Sequence, residues 1–156
     1  MNVAGSTTLA VAPAALRALL EDPGRLSALL PNVDAFGWTD GPVEGSFAVT
    51  IRPALALGEI PVRTVWERRP AADGELRYRV EGRTDEQRLA FDVVLVLGDA
   101  GAGGDGGTRV SWSLDCHVTG VLRSVGQRVL VPIVDRQVRE VLRAAEGGAG
   151  AKGAAR

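Results

Sequence analysis

Hydrophobic and polar residues alternate most clearly along two segments of the chain. Between Glu75 and Arg83, apolar residues occupy every second position and charged residues lie between them, and Arg109–Val118 repeats this pattern. Such a period of two predicts strands of a sheet with one dry face and one wet face. Further strand-like segments are bounded by Gly, Pro, Asn and Asp residues: Val3–Val11, Asp34–Thr39, Gly45–Arg52, Gly58–Arg69 and Arg88–Leu97. The short breaks between them favour antiparallel pairing.

Two clusters of leucines follow the first strand at helical spacing. The first begins after Ala12-Pro13 and the second after Asp22-Pro23. Proline is favoured in the first turn of a helix, and aspartate is a common N-cap residue. The pattern therefore predicts two short helices that end near Pro31.

The longest apolar stripe with helical spacing runs from Val121 to about Glu146. It predicts one long helix, which Pro132 should kink or restart because proline lacks the N–H for the bond to residue 128. The Gly/Ala-rich stretch from Gly147 to Arg156 predicts a disordered tail. We therefore expect one domain over residues 1–146, of the α+β class, in which a curved antiparallel sheet of six to seven strands wraps around the long helix. An apolar hollow between sheet and helix follows from that arrangement.

Composition and charge exclude several classes of function. The net charge of −1 gives no electrostatic footprint for nucleic acid, and no apolar run approaches the length of a membrane span. The single cysteine, Cys116, excludes an internal disulfide and fits a reducing cytoplasm. We interpret Cys116 as a small core residue.

The chain contains no recognisable catalytic motif. His117, the only histidine, lies on the polar register of its strand with Asp115, so it is either a surface residue or a base oriented by the aspartate. One histidine and one cysteine on opposite faces do not make a metal site. We therefore predict no catalytic residues, no metal and no cofactor.

Candidate residues for the cavity lining come from the apolar registers and from the long helix. The three tryptophans lie on different strands and either form a cavity wall or pack in the core, whereas Gly126 allows close approach or tight packing. The candidates are Trp38, Thr50, Thr64, Trp66, Tyr78, Phe91, Trp112, Leu114, Leu122, Val125, Gly126, Val129 and Ile133. A ligand site of ordinary size would need about 300 Å³.

Three segments resemble the family of the carbon monoxide dehydrogenase G protein, within the START/polyketide cyclase (SRPBCC) superfamily. They are Leu20–Asn32, with Leu-Leu-Pro near its end, Gly107–Val110, and the strand-to-helix junction Val118–Gly126. Asn32 stands where the family usually has glycine. The order of elements is similar to the helix-grip fold of that superfamily.

The resemblance implies a non-enzymatic carrier of a lipophilic small molecule, such as an isoprenoid quinone, accessory to a molybdenum hydroxylase. It implies a cytoplasmic protein with transient contact at the inner face of the membrane. Two alternatives remain open: a cyclase/aromatase-like enzyme that uses the same cavity, and an interaction protein that docks a redox complex through its arginine-rich sheet.

Overall fold

The computed structural model describes residues 2–30, 33–38, 46–51, 54–55, 58–59, 61–84, 88–100, 107–119 and 127–154. Within these residues nine strands are present: β1 Asn2–Leu9, β2 Val33–Trp38, β3 Phe47–Ile51, β4 Ala54–Leu55, β5 Gly58–Glu59, β6 Val62–Arg69, β7 Glu75–Arg83, β8 Arg88–Asp99 and β9 Thr108–Val118. Seven of them form one antiparallel sheet in the order β1-β9-β8-β7-β6-β3-β2, and β4 and β5 form a separate two-stranded pair.

Alternation along the strands gives the sheet one buried and one exposed face. In β7, Leu76, Tyr78 and Val80 are buried, whereas the arginines between them point to the other side. The same alternation runs through β9, where Val110, Trp112 and Leu114 face the core. The predicted α+β class and the helix-grip arrangement are confirmed.

One predicted strand is divided in the structure. The segment predicted as a single strand from Gly58 to Arg69 consists of β5 and β6, with Pro61 outside both. Proline has no N–H to donate to a strand ladder, so the pairing of β6 begins at Val62.

The two short helices lie where the leucine clusters predict them, with α1 at Pro13–Glu21 and α2 at Pro23–Leu29. The Asp22 Oδ1 atom accepts hydrogen bonds from the N–H groups of Gly24 at 3.0 Å and Arg25 at 3.3 Å. These bonds satisfy donors that have no partner inside the first turn of α2. The leucines of both helices pack into the core on the concave face of the sheet.

The C-terminal helix, α3, spans Gln127–Ala154. Residues 121–126, where the predicted helix begins, lie outside the described part. Pro132 lies inside α3 and does not start it. The predicted disordered tail is corrected, because α3 continues through residues 147–154. A Cβ atom at Gly148 would lie 3.8 Å from the Leu19 side chain, so this end of α3 passes over α1.

The face of α3 that meets the core is centred on Val134, Val138, Leu142 and Ala145. Ile133 is half-buried and is neither part of that packed face nor part of the cavity described below. The predicted stripe through residues 129 and 133 is therefore displaced by about one residue on the described part of the helix. No described helix is long and apolar enough to cross a membrane.

Trp112 packs in a slot between β1 and α3. Gly5 lies opposite it in the register, and a Cβ atom at Gly5 would be 2.5 Å from the indole ring. The Arg139 guanidinium lies 4.9 Å from the centre of the ring, within cation–π distance. Trp112 therefore fastens one side of the sheet to α3.

Candidate ligand cavity

A cavity of about 180 Å³, partly open to solvent, lies between the concave face of the sheet and the three described helices. The strands β3 and β6 to β9 form its floor, and α1, α2 and α3 form its roof. Its lining residues are Leu20, Leu26, Leu30, Ile51, Trp66, Tyr78, Val80, Phe91, Val93, Leu95, Leu114, Val134, Gln137, Val138, Val141 and Leu142. None of these side chains carries a charge at neutral pH.

The cavity is smaller than the expected 300 Å³ of an ordinary ligand site. A dry apolar cavity of about 150 Å³ is nevertheless large enough to bind benzene. The hollow therefore exists, and its volume of about 180 Å³ suits a group the size of a single ring.

The polar atom of Trp66 is occupied by the protein itself. The Trp66 indole N–H donates to Thr64 Oγ1 at 2.9 Å, and the Thr64 hydroxyl donates to the Val49 carbonyl at 2.6 Å. Thr64 is buried behind Trp66 and orients the ring, but it is not part of the lining. This pair leaves the exposed surface of Trp66 entirely apolar.

Tyr78 joins the sheet to α1. Its hydroxyl donates to the Leu20 carbonyl at 2.8 Å, near the C-terminal end of α1, where carbonyls lack a partner in the helix. Burial raises the pKa of Tyr78 to about 12, while Arg68 opposes the rise and a neighbouring Glu21 adds to it. Tyr78 is therefore a neutral structural group at physiological pH.

Four aromatic rings cross the concave face from the edge strand β2 to the cavity. Ring centres are 5.9 Å apart between Phe36 and Phe47, 5.7 Å between Phe47 and Trp66, and 5.9 Å between Trp66 and Tyr78. Phe36 is 39% exposed at the outer end of this row. The row forms a continuous apolar wall that leads into the cavity.

Gln137 differs from the other polar lining residues. It projects from α3 beside Val134, Val138 and Val141, which lie within one helical turn of it and also line the cavity. Its side-chain amide makes no hydrogen bond within the described residues, although it is half-buried. It is the polar lining group whose donors and acceptor remain available.

The structure brings four of the predicted cavity residues together in the lining: Trp66, Tyr78, Phe91 and Leu114. Thr50 lies elsewhere, since it pairs with exposed Arg63 on the outer face. Trp112 and Thr64 are buried beside the cavity and not in its lining, and Ile133 is likewise outside it. The side chains of Trp38 and Val129, and the whole of Leu122, Val125 and Gly126, lie outside the described residues.

Several lining residues were missed by sequence reasoning. Val80, Val93 and Leu95 share the inward register with Tyr78 and Leu114, so strict alternation could have found them. The contributions of α1 and α2 had no such signal, because a leucine that lines a cavity and one that fills a core look alike in a sequence.

The titratable residues considered above lie away from the cavity. His117 and Asp115 are on the outer face, with side chains 62% and 52% exposed, and His117 Nε2 is 3.4 Å from Asp115 Oδ2. Asp92, on the neighbouring strand, completes a trio whose ligand-type atoms lie within 4.8 Å of one another. Sequence spacing did not predict this trio, and Arg79 already binds Asp92 at 2.8 Å. Burial raises the pKa of the Cys116 thiol to about 11.

A sheet that grips a C-terminal helix around an apolar hollow defines the class of START-like, helix-grip proteins. The sequence profile of CoxG, the family of the carbon monoxide dehydrogenase G protein, matches residues 5–146. The chain belongs to that family and, with it, to the SRPBCC superfamily. A comparison with curated proteins finds no match.

Solved structures share this fold at low sequence identity. A conserved protein from Geobacillus kaustophilus has a TM-score of 0.84 at 16% identity, covering 96% of this chain and 95% of its own. A START superfamily protein from Mycobacterium smegmatis has a TM-score of 0.72 at 12% identity, covering 96% and 97%. The ZhuI aromatase/cyclase from a Streptomyces species has a TM-score of 0.72 at 13% identity, covering 96% and 93%. At these identities the likeness shows the fold alone.

Proposed function

We propose that the protein is a non-enzymatic carrier that binds a neutral, lipophilic small molecule in the cavity between sheet and helices. The observation that carries the proposal is a partly open cavity whose lining is almost entirely aliphatic and aromatic. Burial of apolar ligand surface there is favourable, whereas an ionised ligand would lose its hydration without gaining a charged partner.

The size of the cavity limits how such a ligand binds. About 180 Å³ accommodates one ring-sized group, so a longer lipophile places its ring inside and its chain through the opening. The aromatic row that ends at exposed Phe36 offers an apolar surface beside the cavity. An isoprenoid quinone, which combines one compact ring with a long apolar chain, fits both requirements.

The cyclase-like alternative finds no supporting group in the described lining. Acid–base catalysis needs a titratable residue within reach of the substrate. Tyr78, the titratable residue in the lining, has a pKa of about 12, and its hydroxyl hydrogen bonds to the Leu20 carbonyl. We therefore favour binding over catalysis.

Membership of the CoxG family supports a role beside a molybdenum hydroxylase such as carbon monoxide dehydrogenase. In this proposal the protein is cytoplasmic, collects the lipophile at the inner face of the membrane and exchanges it with the enzyme. The test is to add the purified protein to the purified hydroxylase and measure the rate of quinone reduction. The proposal predicts a faster rate, and an unchanged rate contradicts the accessory role.

Ligand binding itself can be tested through tryptophan fluorescence, because Trp66 lines the cavity and Trp112 does not. A benzoquinone with a ten-carbon chain should quench the fluorescence in a saturable manner. The Trp66→Phe variant should lose most of that quenching, whereas Trp112→Phe should retain it. Quenching that never saturates, or that is unchanged by Trp66→Phe, would contradict binding at this site.

A further inference from the structure

The lining of the cavity holds one polar side chain that the described part of the protein does not use. Trp66 donates to Thr64 and Tyr78 donates to Leu20, so their polar atoms are turned to the protein. The Gln137 amide has no hydrogen-bond partner within the described residues, and it offers two donors and one acceptor.

The position of Gln137 on α3 makes this more than an incidental polar residue. Val134, Val138 and Val141 surround it in the lining, so it interrupts an apolar stripe at the cavity. Leucine is at least as good a helix former and would bury more apolar surface. A half-buried amide without a partner is unfavourable, and a ligand atom that hydrogen-bonds it would remove that cost.

The charges nearest to the cavity do not complement an acidic ligand. Arg68 influences Tyr78, but its guanidinium pairs with Glu21 at 2.9 Å, and Arg17 pairs with the same carboxylate. The described lining therefore presents an amide and no free charge.

We propose that the Gln137 amide is the specificity-determining group of this cavity and selects neutral ligands whose ring carries a carbonyl or hydroxyl oxygen. The amide N–H donates to a carbonyl, and the amide oxygen accepts from a hydroxyl. Fatty acids and other carboxylates are excluded. This inference rests on the proposed function, because it assigns the polar contact of the same cavity.

Three ligands of nearly equal shape test the inference: para-methylacetophenone, a ketone; para-cymene, its hydrocarbon counterpart; and para-toluate, its carboxylate counterpart. Dissociation constants come from amide NMR titrations of the full chain and of Gln137→Leu. The net value of one hydrogen bond predicts that Gln137→Leu weakens ketone binding by about three- to tenfold. Binding of para-cymene should stay the same or tighten, and para-toluate should bind neither protein.

Val138→Ala is the matched control, since it alters the lining from the same helix without changing a polar group. It should shift the affinities of ketone and hydrocarbon by similar factors. If Gln137→Leu also shifts both ligands equally, or if para-toluate binds as well as the ketone, the selectivity inference is wrong while the cavity remains a binding site. If the unmodified protein binds neither neutral ligand, the proposed function fails as well.

Discussion

Filling the cavity should raise stability and abolish binding together, a combination that ordinary damage does not produce. Val93 lies on β8 between Tyr78 and Leu114 in the register, and its side chain lines the cavity. At about 24 cal/mol per Å³, an empty space of 180 Å³ costs about 4 kcal/mol relative to a filled core. Val93→Phe fills only part of that space, so we expect about 0.5–2 kcal/mol of added stability.

Val94→Phe is the matched control, because the next residue of a strand points to the opposite face. Val94 pairs with Arg77 and Ser113 on the outer face, so its enlargement should leave cavity binding intact. Urea unfolding gives the two free energies of unfolding, and fluorescence titration with the short-chain quinone gives affinity. The reasoning is refuted if Val93→Phe destabilises the protein, or if it binds the quinone as tightly as Val94→Phe does.

Three further predictions follow from buried and paired groups. Tyr78→Phe leaves the Leu20 carbonyl without its buried donor and should lower the free energy of unfolding by about 1–2 kcal/mol in urea titrations. Burial tends to raise the pKa of Glu21, but the hydrogen bonds from Arg68 and Arg17 outweigh it and lower the pKa. This ion-pair contribution is therefore present at neutral pH and is lost as the pH falls through the lowered pKa; Glu21→Gln, studied across that range by urea unfolding, should remove the loss. Cys116, with its pKa of about 11, should resist alkylation at pH 8 until the chain is unfolded, as mass spectrometry of the alkylated protein would show.

Much of the fold was predictable because alternation and helical spacing are local signals. The bounds of β7 follow directly from the charged and apolar residues between Glu75 and Arg83. The length of α3 was not predictable in this way. A Gly/Ala-rich segment carries no periodic signal, and its helical state depends on contact with α1, which only the folded chain creates.

The candidate site was predictable in part for a similar reason. Tyr78 and Leu114 could be assigned to the inward face from their strands alone. Thr50 was assigned to the wrong face for a lining residue because alternation around Pro53 was unclear, and its pairing with Arg63 fixes it outside. Gln137 could not be recognised, because its significance lies in which neighbouring polar groups are already bonded, and those bonds depend on the folded chain.

Whether the cavity carries a neutral lipophile in the cell is tested most directly by native mass spectrometry of the protein purified from its own host. Solvent extraction then identifies any bound molecule. We expect one neutral, oxygen-bearing lipophile bound at up to one per chain, and its absence from Val93→Phe purified in the same way. A bare polypeptide mass from the host, or a bound acidic lipid, would contradict the account.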